Sequence, residues 1–302
     1  MDSKSYKLIS AREIIQGLRQ GEPRMLARAI SLVENETAGY ESMLEQITEI
    51  PQSRIIGITG PPGAGKSTIT NRITGELLRE GKKVGILCVD PSSPFHRGAL
   101  LGDRVRMYDW YNHPGVFIRS LASRGSMGGL SPHIFETADL LRAAGYDEII
   151  IETAGVGQTE VEIASLADTT VVVLVPEAGD EIQTMKSGLM EIADLFAVNK
   201  SDRPGAALLV AALESGTRQV PVLKTVAITG EGITELLQAI KAHGLAGNDL
   251  NSRSTLMAGR AWQIIMKRKM KTIDRKNLEE KISRLMESGE FNLYRFAASF
   301  GE

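Results

Sequence analysis

Seven short apolar runs set the rhythm of this chain: RIIGITG at 54–60, KVGILCVD at 83–90, GVFIRSL at 115–121, EIIIETAG at 148–155, TTVVVLVPEA at 169–178, LFAVNK at 195–200 and VPVLKTVA at 220–227. Their apolar stretches are continuous instead of alternating with polar residues, as in strands buried on both faces of a parallel sheet. Stretches of helical spacing separate them, and strand–helix alternation of this kind predicts an α/β fold with a doubly wound, mostly parallel sheet. Residues 10–50 have helical spacing throughout (Ile14, Ile15 and Leu18, then Met25, Leu26, Ala29, Ile30 and Val33), interrupted at GEP, 21–23. After about 245 the pattern changes: GLAGNDLNSRS resembles a linker, and 255–288 reads as a helix with Leu256, Trp262, Ile265 and Met266 on one side. The expected organisation is an N-terminal helical segment (1–50), an α/β domain (51–245) and a C-terminal helical extension (246–302) that serves dimerisation.

In doubly wound sheets ligands sit beyond the carboxyl ends of the strands, so chemistry is sought in the loops that follow the runs. After the first run comes GPPGAGKST, in which Gly60, Pro61, Pro62, Gly63, Ala64, Gly65, Lys66 and Ser67 fit the phosphate-binding pattern and Thr68 continues into a helix. Glycines let backbone amides approach phosphate oxygens, and a helix amino terminus adds partial positive charge. Lys66 reaches the β- and γ-phosphates in such loops, and the Ser67 hydroxyl ligates Mg²⁺.

The run LFAV ends in NKSD. Asp202 there can accept hydrogen bonds from guanine N1–H and the 2-amino group, which adenine lacks. Asn199 would hold the loop, the Lys200 stem would cover the base, and the Ala227 amide, at the end of the last run, would meet guanine O6. GTP is the expected nucleotide. At ETAG, Glu152 is placed to act on the Mg²⁺ shell and the Gly155 amide on the γ-phosphate; together with Lys66 and Asp103, Glu152 forms the candidate catalytic set. Asp90 at a strand end and Asp103 in the following loop are candidate Mg²⁺ ligands, although Asp103 also reads as a helix N-cap. Val156 follows Gly155 where some GTPases carry a glutamine that positions water, so slow turnover raised by a partner is expected.

Bulk properties narrow the partners. The 302 residues carry a net charge of −2, which gives no reason to expect nucleic-acid or membrane binding. The N-terminus lacks the features of a targeting segment, no run is long enough to span a membrane, and Cys88 is the single cysteine, all consistent with a cytoplasmic protein. The four histidines lack metal-ligand spacing and are expected at the surface.

Taken together, GPPGAGKST, DPSSP, GALLGDRVRM, SRGSMGGLS, AAGYDEIIIETAGVGQTE, AGDEIQTMKSGLMEIADLFAVNKSD and GEGI resemble one family, the MeaB/ArgK G proteins, over about residues 10–245 and in the same order. The resemblance implies a homodimeric P-loop GTPase of the signal-recognition-particle-like class. It would act as a metallochaperone that docks on an adenosylcobalamin-dependent acyl-CoA mutase and gates cofactor loading, protection and release of damaged cofactor. Adenosylcobalamin is then handled on the mutase and not by this chain alone. The resemblance places Asp90, Asp103 and Glu152 at the Mg²⁺ site. It places Asp180, Glu181 and Lys186 in a third switch that relays nucleotide state. A methylmalonyl-CoA mutase is the default partner, and a mutase of isobutyryl- or hydroxyisobutyryl-CoA type is the alternative. The rival reading is a transport-associated nucleotide-dependent kinase or ATPase, against which NKSD argues.

Overall fold

The computed structural model describes residues 10–47, 51–90, 107–122, 131, 133–153, 155, 163–178, 189–217, 220–246, 250–270, 273–288 and 291–298. They belong to two compact units, Met1–Gly247 and Asn248–Glu302.

Each of the seven apolar runs forms a strand in the first unit: β1 (Arg54–Thr59), β2 (Val84–Asp90), β3 (Val116–Ala122), β4 (Glu148–Thr153), β5 (Thr169–Leu174), β6 (Leu195–Asn199) and β7 (Val222–Thr225). All pair in parallel in the order β3-β2-β4-β1-β5-β6-β7. The reason for the unbroken runs is visible in β4. Ile149 and Ile151 enter a core shared with helices α1 (Ala11–Arg19), α2 (Pro23–Glu34), α3 (Tyr40–Glu45) and α5 (Ile134–Ala143). Ile150 between them enters the opposite core, with Ile69, Ile73 and Leu77 of α4 (Lys66–Arg79) and Leu236 and Ile240 of α8 (Ile233–Ala246). A third cluster joins Val172 of β5 and Phe196 and Val198 of β6 to Leu189 of the short α6 (Leu189–Ile192) and Leu209 and Leu213 of α7 (Ala206–Gly216).

The amino-terminal helices are locally well specified. Ser10 and Glu13 form a reciprocal capping box at the start of α1, and Pro23 occupies the first turn of α2 where its missing amide costs nothing. One expectation is corrected in this layer. His133, taken as a surface histidine, is 3% exposed, with Nε2 3.3 Å from Glu36 and Nδ1 3.6 Å from Glu136, and Tyr40 lies edge-on to it. The end of α2 and the start of α3 cover it, a contact between segments about a hundred residues apart that spacing along the chain does not reveal.

In the second unit, α9 (Leu250–Met270), α10 (Arg275–Glu287) and α11 (Leu293–Ala298) replace the expected single helix over 255–288. Ile273 and Asp274 lie outside helix, and the Asp274 carbonyl accepts the Leu278 amide, so α10 starts afresh behind an aspartate, a residue type favoured at that position. Trp262, Ile265 and Met266 are 66%, 50% and 42% exposed.

At the amino edge of the sheet, Arg54 and Glu148 open neighbouring strands with nitrogen and oxygen 3.9 Å apart. That is too long for a direct hydrogen bond, and Glu148 Oε2 has no hydrogen-bond partner among the described residues. Lost hydration therefore outweighs the nearby Arg54, Lys82 and Lys241 charges, and the Glu148 carboxyl is pushed up to about 7. The folded state then holds a proton that the unfolded chain, near 4.5, releases. Stability contributed by this proton is fully present below pH 4.5 and is lost as pH rises through 7. Urea unfolding from pH 4.5 to 8 should show a decline of ~2–3 kcal/mol from this group, and Glu148→Gln should remove that decline.

Candidate nucleotide-binding site

From β1 the chain passes to β2 in one half of the sheet, and it enters the other half at β5, on the far side of β1. The carboxyl ends of β1, β4 and β5 therefore flank the crevice where doubly wound sheets bind ligands. The turn Gly60–Gly65 leaves β1 there and feeds directly into α4, whose amino terminus has no capping side chain in front of it. Ala64 is buried, Pro62 and Gly63 face outward, and Thr68 sits half-buried in the first turn of α4. Lys66 is 6% exposed and donates from Nζ to the carbonyls of Gly60 (2.8 Å) and Pro61 (3.0 Å), which arches its ammonium over the turn.

Glu152, near the end of β4, reaches across to α4. Its Oε1 accepts the Ser67 hydroxyl at 2.5 Å and its Oε2 accepts the Thr70 hydroxyl at 3.0 Å. One strand further in, the Thr59 and Thr153 hydroxyls meet at 2.9 Å, tying the last residues of β1 and β4 together. Gly155 closes against the same turn: a Cβ there would stand 2.2 Å from the Gly60 carbonyl oxygen and 2.6 Å from Lys66 Nζ, at a φ of +82°. Only glycine allows that approach.

Asn199 ends β6 and makes three hydrogen bonds, to the phosphate turn and to the end of β7. Its Nδ2 donates to the Ala64 carbonyl (2.8 Å), while its Oδ1 accepts the Thr225 hydroxyl (3.2 Å) and the Ala227 amide (3.1 Å). Lys200, at a left-handed φ of 55°, sends Nζ to the Gly63 carbonyl at 2.9 Å. Asp202 is exposed just beyond, and Arg203 pairs with Glu177 in the segment after β5, a hydrogen bond that holds the Glu177 carboxyl below its usual range. Arg72 of α4 clamps the loop after β7 by donating to the carbonyls of Ala227 (2.9 Å) and Ile228. A glycine-lined turn with a lysine, a hydroxyl–carboxylate pair and an asparagine-tied loop therefore share one edge of one sheet.

Residues 26–283 match the family described as Methylmalonyl Co-A mutase-associated GTPase MeaB. The chain belongs to this family. It is 47% identical to a GTPase of Pyrococcus horikoshii over 243 residues, 76% of this chain and 77% of that protein. It is 35% identical to the GTPase ArgK of Escherichia coli over 300 residues, 93% of this chain and 88% of that one. A solved structure described as a LAO/AO transport system kinase covers 98% of each chain with a TM-score of 0.68 and 28% identity. This chain is a P-loop GTPase.

The structure brings Gly60, Lys66, Ser67, Glu152, Gly155, Asn199, Lys200 and Ala227 to one edge of the sheet. The Ala227 amide, expected at the base, is directed at Asn199 Oδ1. Asp90 is the last residue of β2, but its side chain and the whole of Asp103, Asp180, Glu181 and Lys186 lie outside the described residues. Sequence reasoning missed Thr70 and Arg72. Thr70 had a signal, because it lies three positions after Ser67 and so shares its helix face; Arg72 had none, since its partners are over 150 residues away.

Asn199→Ala would orphan a buried carbonyl, hydroxyl and amide together. Thermal and urea unfolding should show a loss of ~2–4 kcal/mol, and fluorescent-GDP binding should fall at least about tenfold.

Proposed function

We propose that this GTPase binds GTP with Mg²⁺ and uses the terminal phosphate to set the loops at the carboxyl edge of the sheet, so that an adenosylcobalamin-dependent acyl-CoA mutase senses nucleotide state and admits or releases its cofactor accordingly. The observation that carries this reading is the Ser67–Glu152 hydrogen bond, which joins the phosphate turn to the strand end that leads into ETAGVGQ. Any ligand that takes the Ser67 hydroxyl changes the partners of Glu152 and thereby the start of that loop.

The donor set fits a hard divalent cation, since the Ser67 hydroxyl and Glu152 carboxylate present oxygen atoms from facing elements. Bound Mg²⁺ would neutralise charge on the phosphates. Ser67 would hold it, with Glu152 and the carboxylates of Asp90 and Asp103 in or beyond its ligand sphere. Lys66 would turn from the Gly60 and Pro61 carbonyls to the β- and γ-phosphates, with the backbone of Gly60–Gly65 and Thr68 around them. The Gly155 amide would meet the γ-phosphate. On the base side Asp202 would accept from the guanine edge, Lys200 would cover the ring, and Asn199 would hold the two loops in register. Asp103 with Lys66 and Glu152 completes the proposed catalytic set, and Asp180, Glu181 and Lys186 the coupling loop.

The family's description supports the mutase as partner. The exposed Trp262, Ile265 and Met266 of α9 support a homodimer formed through the second unit. The single cysteine, Cys88, is buried and has no second cysteine in the chain to pair with, which supports action in the cytoplasm. The boundaries 1–50, 51–245 and 246–302 remain the proposed functional divisions. The kinase name of the similar solved structure is not carried over, because the matched family and the relatives from Pyrococcus horikoshii and Escherichia coli are named GTPases.

The test of partner and base is direct. The chain loaded with a non-hydrolysable GTP analogue should capture a cobalamin-dependent mutase from its native extract, and the mutase should accelerate its slow GTP hydrolysis. Capture of a permease instead would overturn the reading. Asp202→Asn turns an acceptor into a donor, so the preference should move from GTP to XTP by at least about a hundredfold in the ratio of binding constants. An unchanged preference would remove guanine from the account.

A further inference from the structure

The α4 face that packs on the sheet carries Ile69, Ile73 and Leu77, all fully buried, and among them sits Thr70, also 0% exposed. A hydroxyl in such a place is costly unless it is hydrogen-bonded, and Thr70 directs it to Glu152 Oε2 at 3.0 Å. The other carboxylate oxygen is taken by Ser67 at 2.5 Å. The two hydroxyls differ in what else they can do. Ser67 is partly exposed in the first turn of the helix beside the phosphate turn, whereas Thr70 is one turn further in and shielded from it.

We infer that Thr70 is a positioning residue, whose hydroxyl keeps the Glu152 carboxylate aimed at the cation site when Ser67 leaves that carboxylate to ligate Mg²⁺. This rests on the assignment of Glu152 to the Mg²⁺ shell in the proposed function. A buried carboxylate with one donor withdrawn turns toward whatever donors remain. Retaining Thr70 as a fixed donor on Oε2 leaves Oε1 as the oxygen presented to the metal or its water. Without Thr70, the same carboxylate would enter the loaded state with no α4 hydroxyl to orient it, and Mg²⁺ would be held less tightly. Hydrogen-bond partners of this type typically change metal affinity by about 10–100-fold.

The experiment is a Mg²⁺ titration of fluorescent-GDP binding, with a parallel measurement in EDTA, on the full chain and four variants. Thr70→Val, nearly the same shape without the hydroxyl, should raise the Mg²⁺ concentration for half-maximal tightening about tenfold while leaving the affinity in EDTA within about twofold. Thr70→Ser should restore the wild-type titration. Thr74→Val removes another buried hydroxyl of α4, which donates within the helix to the Thr70 carbonyl at 2.7 Å; it should lower Tm without moving the Mg²⁺ midpoint. Glu152→Gln should move the midpoint at least as far as Thr70→Val. A wild-type midpoint in Thr70→Val, with Glu152→Gln shifted, overturns the Thr70 role alone. An equal loss of affinity with and without Mg²⁺ reduces Thr70 to packing and likewise overturns it. A wild-type midpoint in Glu152→Gln overturns the metal assignment itself and Thr70 with it. Should Thr70→Val fail to fold, as judged by circular dichroism, Thr70→Ala carries the same comparison.

Discussion

Gly155 and Gly65 are the points at which separate sequence motifs touch, and the touching is closer than any side chain permits. A Cβ on Gly155 would stand 2.2 Å from the Gly60 carbonyl oxygen; one on Gly65, at a φ of +92°, would stand 2.2 Å from Asn199 Nδ2. The phosphate turn is thus pressed from one side by the segment after β4 and from the other by the end of β6. Because Asn199 Nδ2 also donates to the Ala64 carbonyl, the turn is held by hydrogen bonds as well as by contact. In a parallel sheet every strand delivers its following loop to the same edge, so these approaches are available only to a fold of this kind.

Within that frame the polar groups are shared instead of stacked in independent pairs. Ser67 and Thr70 divide the two oxygens of Glu152, and Asn199 divides its amide among Ala64, Thr225 and Ala227. Arg72 adds a connection from the phosphate helix to the base loop through two carbonyls. Hydrogen bonds to charged groups contribute about 1.5–3 kcal/mol each and neutral ones, such as those of Asn199, about 0.5–1.5 kcal/mol, while stranding one member in the interior costs about 1–3 kcal/mol. A ligand that engages one member is therefore felt by the others.

The two units differ in how they satisfy their apolar side chains. In Met1–Gly247, the helices on both faces of the sheet bury most of theirs, Leu208 of α7 being an exposed exception; in Asn248–Glu302, α9 leaves Trp262, Ile265 and Met266 exposed. No described helix is long and apolar enough to cross a membrane.

Much of this was legible in one dimension. The seven runs determined seven strands, because a strand buried on both faces must be apolar at consecutive positions, and Ile149, Ile150 and Ile151 show both faces being used. The phosphate turn was legible because its glycines, Lys66 and Ser67 act through local backbone geometry. Contacts between distant segments were another matter. That His133 is buried beneath Glu36 and Tyr40, that Arg72 clamps Ala227, and that the Ala227 amide is bonded to Asn199 depend on elements meeting across the fold. Sequence spacing reports which residues share a strand or helix face; which carboxylate a buried hydroxyl such as Thr70 will meet is decided only when α4 is laid against β4, since the cost of leaving either group unpaired arises only once water has been excluded from both.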